Sequence, residues 1–271
     1  MAGSIGAEQY DVVFFDTCIC GSSVASNFTR PDAGQRAMFV ADYAVNPLGV
    51  KSDTEVRTAL HRWVSLAAGR SDVMTIACNT ASVRLEDSLG VRREAEEHGL
   101  HVWSMVDLLD VLLAREAENL AGRRVCVLGT EYTVGRSVYA HRLRAAGVHD
   151  IVPLGATLTE RAIARLQYES REAREAIRAE VSAALGEADA VLLACTCFPL
   201  VSDLIEEIRP GILQLDPGRE IRSVTSPTDR GEPNRLTLAV SGEAISGQEI
   251  EARARQLFPG WDEIEVIRLA D

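Results

Sequence analysis

The sequence predicts an α/β protein made of two similar doubly wound, Rossmann-like domains with mainly parallel sheets and the active site between them. Short apolar runs alternate with longer amphipathic stretches along the chain. Apolar runs without polar alternation are typical of parallel strands covered on both faces, and their alternation with helices is typical of doubly wound sheets. A weak internal repeat indicates the second domain: "VVFFDTCICGS" is echoed by "VCVLGTEYTVG", and "TIACNTAS" by "LLACTCFP".

The strands are predicted from short runs rich in valine, leucine and phenylalanine. The segment 236–271 adds a strand, a helix and a final strand, and the polar, proline-containing stretch 223–235 is the best loop candidate. The other predicted strands, in chain order, occupy residues 11–15, 37–42, 73–78, 101–105, 124–129, 151–155 and 190–195.

Three long stretches between these strands carry helix patterns. The first, 52–70, opens with Ser52 and Glu55 in the spacing of a capping box. The stretches 158–167 and 170–188 are charged and rich in alanine. Such a composition is typical of helices with one solvated face, as the outer layers of a doubly wound protein require.

The chain of 271 residues is long enough for two domains of ordinary size. We expect the first domain to comprise residues 1–98 together with 210–271 and to contribute Asp16 and Cys78. Residues 99–209 form the second predicted domain, which contributes Thr130 and Cys195.

The net charge of −12 argues against nucleic acid or an anionic membrane surface as a partner, because both require a basic protein surface. The N-terminal segment lacks a secretory pattern, and no apolar stretch has the length of a membrane span. We therefore expect a cytoplasmic protein whose six cysteines stay reduced. Such cysteines are buried, catalytic or metal-binding rather than paired in disulfides.

Four predicted strands end in polar turns, and ligands of open α/β sheets bind at this end of the strands. A plausible helix start follows each turn, and the free N–H groups of a helix N-terminus attract anions and lower the pKa of a cysteine. A carboxylate substrate held between two thiols is therefore a coherent hypothesis. The four turns are Asp16-Thr17-Cys18, Cys78-Asn79-Thr80, Gly129-Thr130 and Cys195-Thr196-Cys197.

Simpler interpretations stand beside this hypothesis. A cysteine within an apolar run, as Cys126 is in "RVCVLG", is a core residue. Asp16 has the alternative role of capping the helix that follows it. Lys51, the only lysine in the chain, has the alternative role of an ordinary solvated side chain.

Several motifs, in order along the chain, resemble those of glutamate racemases within the aspartate/glutamate racemase superfamily. "FFDTCICGSS" is similar to the opening Phe-Asp-Ser-Gly-x-Gly-Gly segment, and "ADYAVNPLGVKS" to the Asp-x-Ala-x-x-Pro-Tyr-Gly-x-Lys-Ser stretch. "ACNTAS" matches the first catalytic-cysteine motif, and "LGTEYTVGRSVY" matches the Gly-Thr-x-x-Thr-Val region. "LLACTCFPL" resembles the second motif, Gly-Cys-Thr-His-Tyr/Phe-Pro-Leu, and "QLDPG" echoes a later Ile-Asp-Ser-Gly.

This resemblance implies a cofactor-independent racemase with two catalytic cysteines and a small carboxylate or amino-acid substrate. Cys78 and Cys195 would lie on opposite faces of the substrate Cα, one thiolate removing the proton and the other thiol returning it. Asp16 corresponds to the carboxylate that assists the first cysteine. A homodimer is compatible with the resemblance. The substrate-contacting positions correspond to Thr17, Pro47, Gly49, Asn79, Thr80, Thr130, Thr133 and Thr196.

The departures from the family pattern lie in the same motifs. Cys197 stands in place of the histidine, Leu48 in place of the tyrosine, and Cys18 and Cys20 in place of glycines. Residues i and i+2 of an extended segment point the same way, so each C-x-C sequence predicts a pair of thiols facing one cavity. Converging thiolates bind zinc or an iron–sulfur cluster. The alternative metal-ligand set is Cys18, Cys20, Cys78, Cys195 and Cys197.

Two functions follow from the sequence. The first is a racemase or epimerase that transfers a proton at Cα through Cys78 and Cys195 without a cofactor. The second is a repurposed superfamily member that binds an iron–sulfur cluster or zinc and catalyses lyase or sulfur chemistry on a carboxylate substrate.

Overall fold

The computed structural model describes residues 8–87, 90–226, 228–243 and 245–269. The chain divides into two compact units, Met1–Ser104 with Ile221–Asp271, and Met105–Glu220. In the described residues, helices alternate with strands that pair in parallel, which confirms the predicted fold class.

The unit boundaries follow Ser104 and Glu220, six and eleven residues later than those expected after residues 98 and 209. Strand pairing explains both differences. His101–Ser104 hydrogen-bonds in parallel with Val73–Ile76 of the first unit. Leu213–Leu215 pairs in the same way with Ala190–Ala194 of the second.

Ten strands are present in the described part of the chain. Six of them form the sheet of the first unit, in the order β10-β9-β2-β1-β3-β4, and four form the sheet of the second, in the order β6-β5-β7-β8. The strands are β1 (Val12–Asp16), β2 (Arg36–Asp42), β3 (Val73–Ile76), β4 (His101–Ser104), β5 (Arg124–Gly129), β6 (Asp150–Gly155), β7 (Ala190–Ala194), β8 (Leu213–Leu215), β9 (Arg235–Ser241) and β10 (Glu263–Arg268).

The α-helices confirm the three predicted helical stretches, as α2, α8 and α9 below, with ends that differ by one to three residues from those expected. Ser52 caps α2 in a complete capping box with Glu55, as its spacing predicts. The described helices are α1 (Ser22–Phe28), α2 (Asp53–Ala67), α3 (Asn79–Asp87), α4 (Val91–Glu97), α5 (Met105–Leu120), α6 (Glu131–Gly135), α7 (Val138–Ala145), α8 (Thr157–Ala164), α9 (Arg171–Gly186), α10 (Ser202–Ile208), α11 (Ile221–Val224) and α12 (Gly247–Leu257).

The first unit is held together by an apolar core and by one buried carboxylate. Phe15 of β1 stacks on Trp63 of α2, with 5.4 Å between ring centroids. Asp42, at the end of β2, accepts hydrogen bonds from Trp63 Nε1 at 2.6 Å, from the hydroxyl of Ser241 and from the guanidinium of Arg62. This carboxylate therefore joins β2 to α2 and β9.

The second unit is built around β5 and β7, whose middle residues are fully buried. Gly129 and Ala194 are paired in register, and a Cβ on Gly129 would lie 3.1 Å from the Ala194 carbonyl oxygen. A larger residue at position 129 would push these two central strands apart. In the same unit, Arg115 forms an ion pair with the buried Glu220 at 2.8 Å.

No helix among the residues described combines the length and apolar character needed to cross a membrane. No disulfide joins any of the six cysteines, and all six are buried. Cys126 lies inside β5, fully buried, which confirms it as a core residue.

Candidate active site

In the first unit, Asp16 and Cys78 lie at the carboxyl edge of the sheet. Asp16 is the last residue of β1, and Cys78 follows the neighbouring β3. The amide of Ala77 donates to the Phe15 carbonyl at 2.8 Å, so the pairing of these strands continues up to the two residues. The strand-end rule therefore brings a buried carboxylate and a thiol to one edge.

Thr17 connects these groups. Its backbone N–H donates to Asp16 Oδ1 at 2.6 Å, and its Oγ1 lies 3.7 Å from Cys78 Sγ. Asn46 Nδ2 donates to the same hydroxyl at 3.3 Å. Since Thr17 Oγ1 accepts the hydrogen bond from Asn46, its own hydrogen can be directed at the sulfur, and a donor in that position stabilises a thiolate.

Helix α3 begins at Asn79, directly after Cys78. The Cys78 carbonyl accepts both the backbone N–H and the hydroxyl of Ser82, each at 2.8 Å, which fixes this helix start. The positive end of a helix favours the thiolate over the thiol. Asn79 and Thr80 form the first turn of α3 and are buried.

Asp16 lies directly before the turn that follows β1. The short 3-10 helix Ile19–Gly21 has Cys18 at its N-cap position, and the Cys18 side chain makes no capping hydrogen bond. Asp16 accepts the backbone N–H of Thr17, and its Oδ2 lies 3.9 Å from Cys18 Sγ.

Pro47 and Gly49 lie in the segment between β2 and α2. Leu48, between them, is buried in the core of the first unit. The neighbouring Asn46 ties the segment to Thr17, as described above. From the other side, the buried Arg84 of α3 donates to the Lys51 carbonyl at 2.9 Å, so α3 also holds this segment in place.

The prediction that Cys18 and Cys20 lie on an extended segment is wrong. Cys18 is extended, but the chain turns into a 3-10 helix at Ile19. The two sulfur atoms nevertheless lie within 4.8 Å of each other, a separation at which two thiolates can bind one metal ion.

Tyr43 is a neighbour of these thiols that the sequence argument missed. Its hydroxyl accepts the Ile19 N–H at 3.1 Å. Burial, followed by the nearby Cys18 and Cys20, raises the pKa of Tyr43 well above its usual value, so its phenol stays protonated. Tyr43 follows β2 directly, so the strand-end rule also applies to it.

Gly21 is required beside Asp16. A Cβ at this position would lie 2.9 Å from Asp16 Oδ2 and 3.1 Å from the Ala77 Cβ. We expect Gly21→Ala to lower the free energy of unfolding by about 1–3 kcal/mol in urea denaturation, because these neighbours must move. Gly186→Ala is the control: no atom lies within 4 Å of that Cβ, and alanine is the better helix former. Equal stability of the two variants would contradict the steric explanation.

In the second unit, Thr130 and Cys195 follow β5 and β7 at paired positions of neighbouring strands. Thr130 caps α6: its Oγ1 accepts the Thr133 N–H at 3.2 Å, and its hydroxyl donates to Thr133 Oγ1 at 3.0 Å. The structure thus brings the predicted residues Thr130 and Thr133 together and places Cys195 directly after the neighbouring strand β7.

The segment Cys195-Thr196-Cys197 is a buried turn, not the extended pair that its spacing predicts. The Cys195 carbonyl accepts the Phe198 N–H at 3.2 Å, and Cys197 has helical backbone angles at the start of a 3-10 helix. The turn forms because Phe198 and Pro199 begin that helix. The i, i+2 rule for extended chain therefore does not apply to these two thiols.

Asp216 is a buried carboxylate that the sequence argument noted within "QLDPG" without assigning it a role. It follows β8 and accepts the Gly218 N–H at 2.9 Å. Burial raises the pKa of Asp216 from its ordinary value of 3.8 to about 6.

This raised pKa predicts a pH dependence of stability. Between pH about 4 and 6 the folded chain keeps a proton on Asp216 that the unfolded chain has released, so stability falls as the pH rises through this window. At pH 7.5 we expect the Asp216→Asn variant to be more stable than the wild type, with a free energy of unfolding higher by about 1–3 kcal/mol. At pH 4 the difference should be much smaller. Urea denaturation at both pH values measures the gap, and an equal gap would contradict the prediction.

Comparison with known proteins agrees with this architecture. The sequence profile of the family described as Asp/Glu/Hydantoin racemase matches residues 49–220, more than half of the chain. The glutamate racemase of Koribacter versatilis is 24% identical over 250 residues, 90% of this chain and 81% of that protein.

Two solved structures are similar in fold. Glutamate racemase from Francisella tularensis, in complex with D-glutamate, superposes with a TM-score of 0.73 at 17% identity, covering 97% of this chain and 98% of the other. The Escherichia coli glutamate racemase in complex with L-glutamate gives 0.71 at 23% identity, covering 97% and 100%.

Proposed function

The chain belongs to the Asp/Glu/hydantoin racemase family and is a racemase-type isomerase, and on this premise we propose that it inverts a small carboxylate or amino-acid substrate by two-cysteine proton transfer at Cα. The observation that carries the proposal is the environment of Cys78. Its sulfur is at the N-terminal end of α3 and 3.7 Å from the Thr17 hydroxyl. Both features lower the pKa of a thiol, and a base for a Cα proton must be ionised near neutral pH.

The proposed reaction needs no oxidant and no cofactor. The Cys78 or Cys195 thiolate takes the proton as the Cα–H bond breaks, and the electron pair remains on the substrate as a carbanion delocalised into its carboxylate. The thiol of the other cysteine then gives its proton to the opposite face of Cα, and its sulfur becomes the thiolate. One proton is taken up and one is released, so the enzyme is ready for the reverse reaction.

The other predicted residues fit supporting roles. Asp16 accepts the N–H of Thr17, whose hydroxyl lies beside Cys78, so in the proposal Asp16 assists proton movement at Cys78 by holding Thr17. Hydroxyl, amide and backbone donors would bind the substrate carboxylate and stabilise the negative charge that grows on it during proton removal. These donors would come from Thr17, Gly49, Asn79, Thr80, Thr130, Thr133 and Thr196, whereas Pro47, which has no N–H, would contact the substrate only through its ring.

Glutamate is the first substrate to test, because two similar structures contain it. The buried Leu48 and Cys197 stand where the resemblance calls for tyrosine and histidine, so the substrate panel also includes aspartate, hydrophobic amino acids and hydantoins. We expect at least one of these substrates to exchange its α-hydrogen with solvent deuterium when a metal chelator is present. NMR measures the rate of this exchange. Absence of exchange from every substrate of the panel would overturn the proposal.

One observation favours a second candidate, a metalloenzyme acting on a carboxylate substrate. Cys18 Sγ and Cys20 Sγ lie within 4.8 Å, close enough to share a zinc or iron ion. Further thiolates would come from the remaining members of the predicted set: Cys78, Cys195 and Cys197. Metal and sulfide analysis of anaerobically purified protein tests this candidate, which requires bound metal that is lost in Cys18→Ser. Metal-free protein from an iron- and zinc-replete host would exclude it.

Other expectations remain predictions. We expect a homodimer, which sedimentation at several protein concentrations can test. We also expect a cytoplasmic location and no nucleic-acid or membrane partner.

A further inference from the structure

The first unit contains a cavity of about 280 Å³ between α2 and the segment that follows β2. We call it the Lys51 cavity. It differs in its residues from the candidate active site, since none of its lining residues is a predicted catalytic or substrate-contacting position. The lining residues are Ala44, Val45, Lys51, Thr54, Glu55, Thr58, Ala59 and Arg62.

One wall of the Lys51 cavity is a stripe along α2. Thr54, Thr58 and Arg62 follow one another at intervals of four residues, so their side chains lie on the same face of the helix. Ala59, on the adjoining row, is buried and provides an apolar surface. The opposite wall includes Ala44, so a short aliphatic group has apolar contacts on both sides.

The charges of the cavity have both signs. Lys51 Nζ lies 3.5 Å from Glu55 Oε1, and the guanidinium of Arg62 contacts the buried Asp42. The Lys51 and Glu55 side chains are both partly exposed, so their ion pair is worth little and opens readily to a charged ligand. Two cations in one cavity contrast with the net charge of −12 of the chain.

We propose that the Lys51 cavity binds a small α-amino acid. Its carboxylate pairs with Lys51 and Arg62, its ammonium with Glu55, and the Thr54 and Thr58 hydroxyls supply additional hydrogen bonds. The volume is at the small end of ligand pockets, which suits a molecule of this size. The mixed charge favours a zwitterion over a simple anion, because only the ammonium of a zwitterion can replace Lys51 as the charged partner of Glu55.

The occupant would contact the segment that carries Asn46, Pro47 and Gly49. Asn46 donates to Thr17, whose hydroxyl lies beside Cys78. An amino acid in the Lys51 cavity would therefore change the rate of α-hydrogen exchange; this consequence rests on the proposed function, whereas the binding itself does not.

The experiment uses the only lysine of the chain as its reporter. Protein labelled with ¹³C-lysine gives the side-chain NMR signals of Lys51 alone, and L-alanine is titrated against the full chain. We expect a saturable shift of the Lys51 ε-carbon signal at millimolar ligand, and a response at least about tenfold weaker with propionate or ethylamine. An absent shift, or an equal response to propionate, would overturn the proposal.

Variants separate this cavity from the active site. Thr58→Leu fills the cavity from an exposed helix position, and Arg62→Gln removes a cation; both should abolish the shift. Arg62→Gln also weakens the contact with Asp42, so Thr58→Leu decides the outcome if the Arg62→Gln variant does not fold.

Cys78→Ser should keep the shift. Loss of the shift in Cys78→Ser, with the cavity variants unaffected, would place the ligand at the active site instead. Absent α-hydrogen exchange with a normal Lys51 shift would count against the proposed function alone.

Discussion

Replacing Cys78 by serine is expected to lower the rate of α-hydrogen exchange by at least about 10³-fold for the substrate enantiomer whose hydrogen faces Cys78. A hydroxyl is a far weaker acid than a thiol, so at neutral pH the serine side chain supplies almost no anion to take the Cα proton. The Thr17 hydroxyl and the start of α3, which favour a thiolate, cannot compensate for a difference of this size. Cys195→Ser is expected to give a loss of similar size for the opposite enantiomer, and either variant should lose inversion, because each inversion needs one base and one acid.

Cys126 supplies the matched control for these variants. It is a cysteine of the same chain but lies inside β5, and burial raises its pKa to about 12, so it remains a neutral core thiol. The Cys126→Ala variant should exchange the α-hydrogen within about threefold of the wild-type rate. Its free energy of unfolding should fall by about 1–2 kcal/mol, because the smaller side chain leaves a cavity in the core. NMR measures the rate of deuterium incorporation for Cys78→Ser, Cys195→Ser and Cys126→Ala. Exchange at the wild-type rate in Cys78→Ser would refute the assignment of this cysteine.

Asp42→Ala is expected to reduce the free energy of unfolding by about 3 kcal/mol, the largest effect on stability that we predict. The carboxylate accepts hydrogen bonds from Trp63 Nε1 and the Ser241 hydroxyl in the interior of the first unit. Its removal leaves both donors buried without their acceptor and also releases Arg62.

Asp53→Ala is the matched control for this prediction. Asp53 contacts Arg84 at 3.1 Å, but its own side chain is 89% exposed, and Arg84 keeps its hydrogen bond to the Lys51 carbonyl when Asp53 is removed. Its expected effect is below about 1 kcal/mol. Urea denaturation of both variants gives the comparison. Similar losses in the two would show that Asp42 does not hold β2, α2 and β9 together.

The central strands were predictable because both faces of β1, β2 and β7 are buried, which produces unbroken apolar runs in the sequence. Strand β8 was not predictable, since it has only three residues, too few to show a recognisable pattern. Helix α5 was missed for a different reason: the apolar sequence of β4 continues into it without a polar cap.

The strand ends of the candidate site were also predictable, because parallel strands terminate at one edge. The turns that follow them were less so. Whether Cys195 and Cys197 lie on an extended segment depends on where the next 3-10 helix begins, and the letters C-x-C do not contain that information. Tyr43 and Asn46 were missed because their contacts with Ile19 and Thr17 arise only when the chain after β2 folds back.

The arrangement of the first sheet has a consequence for biosynthesis. The second unit uses one continuous stretch of chain, so it can complete its sheet as soon as β8 leaves the ribosome. The first unit cannot, because β9, which pairs with β2, is translated later. Until then β2 is an open edge to which other nascent chains can add a strand. Ribosome-bound chains that stop before Arg235 should therefore need chaperones more than the finished protein does.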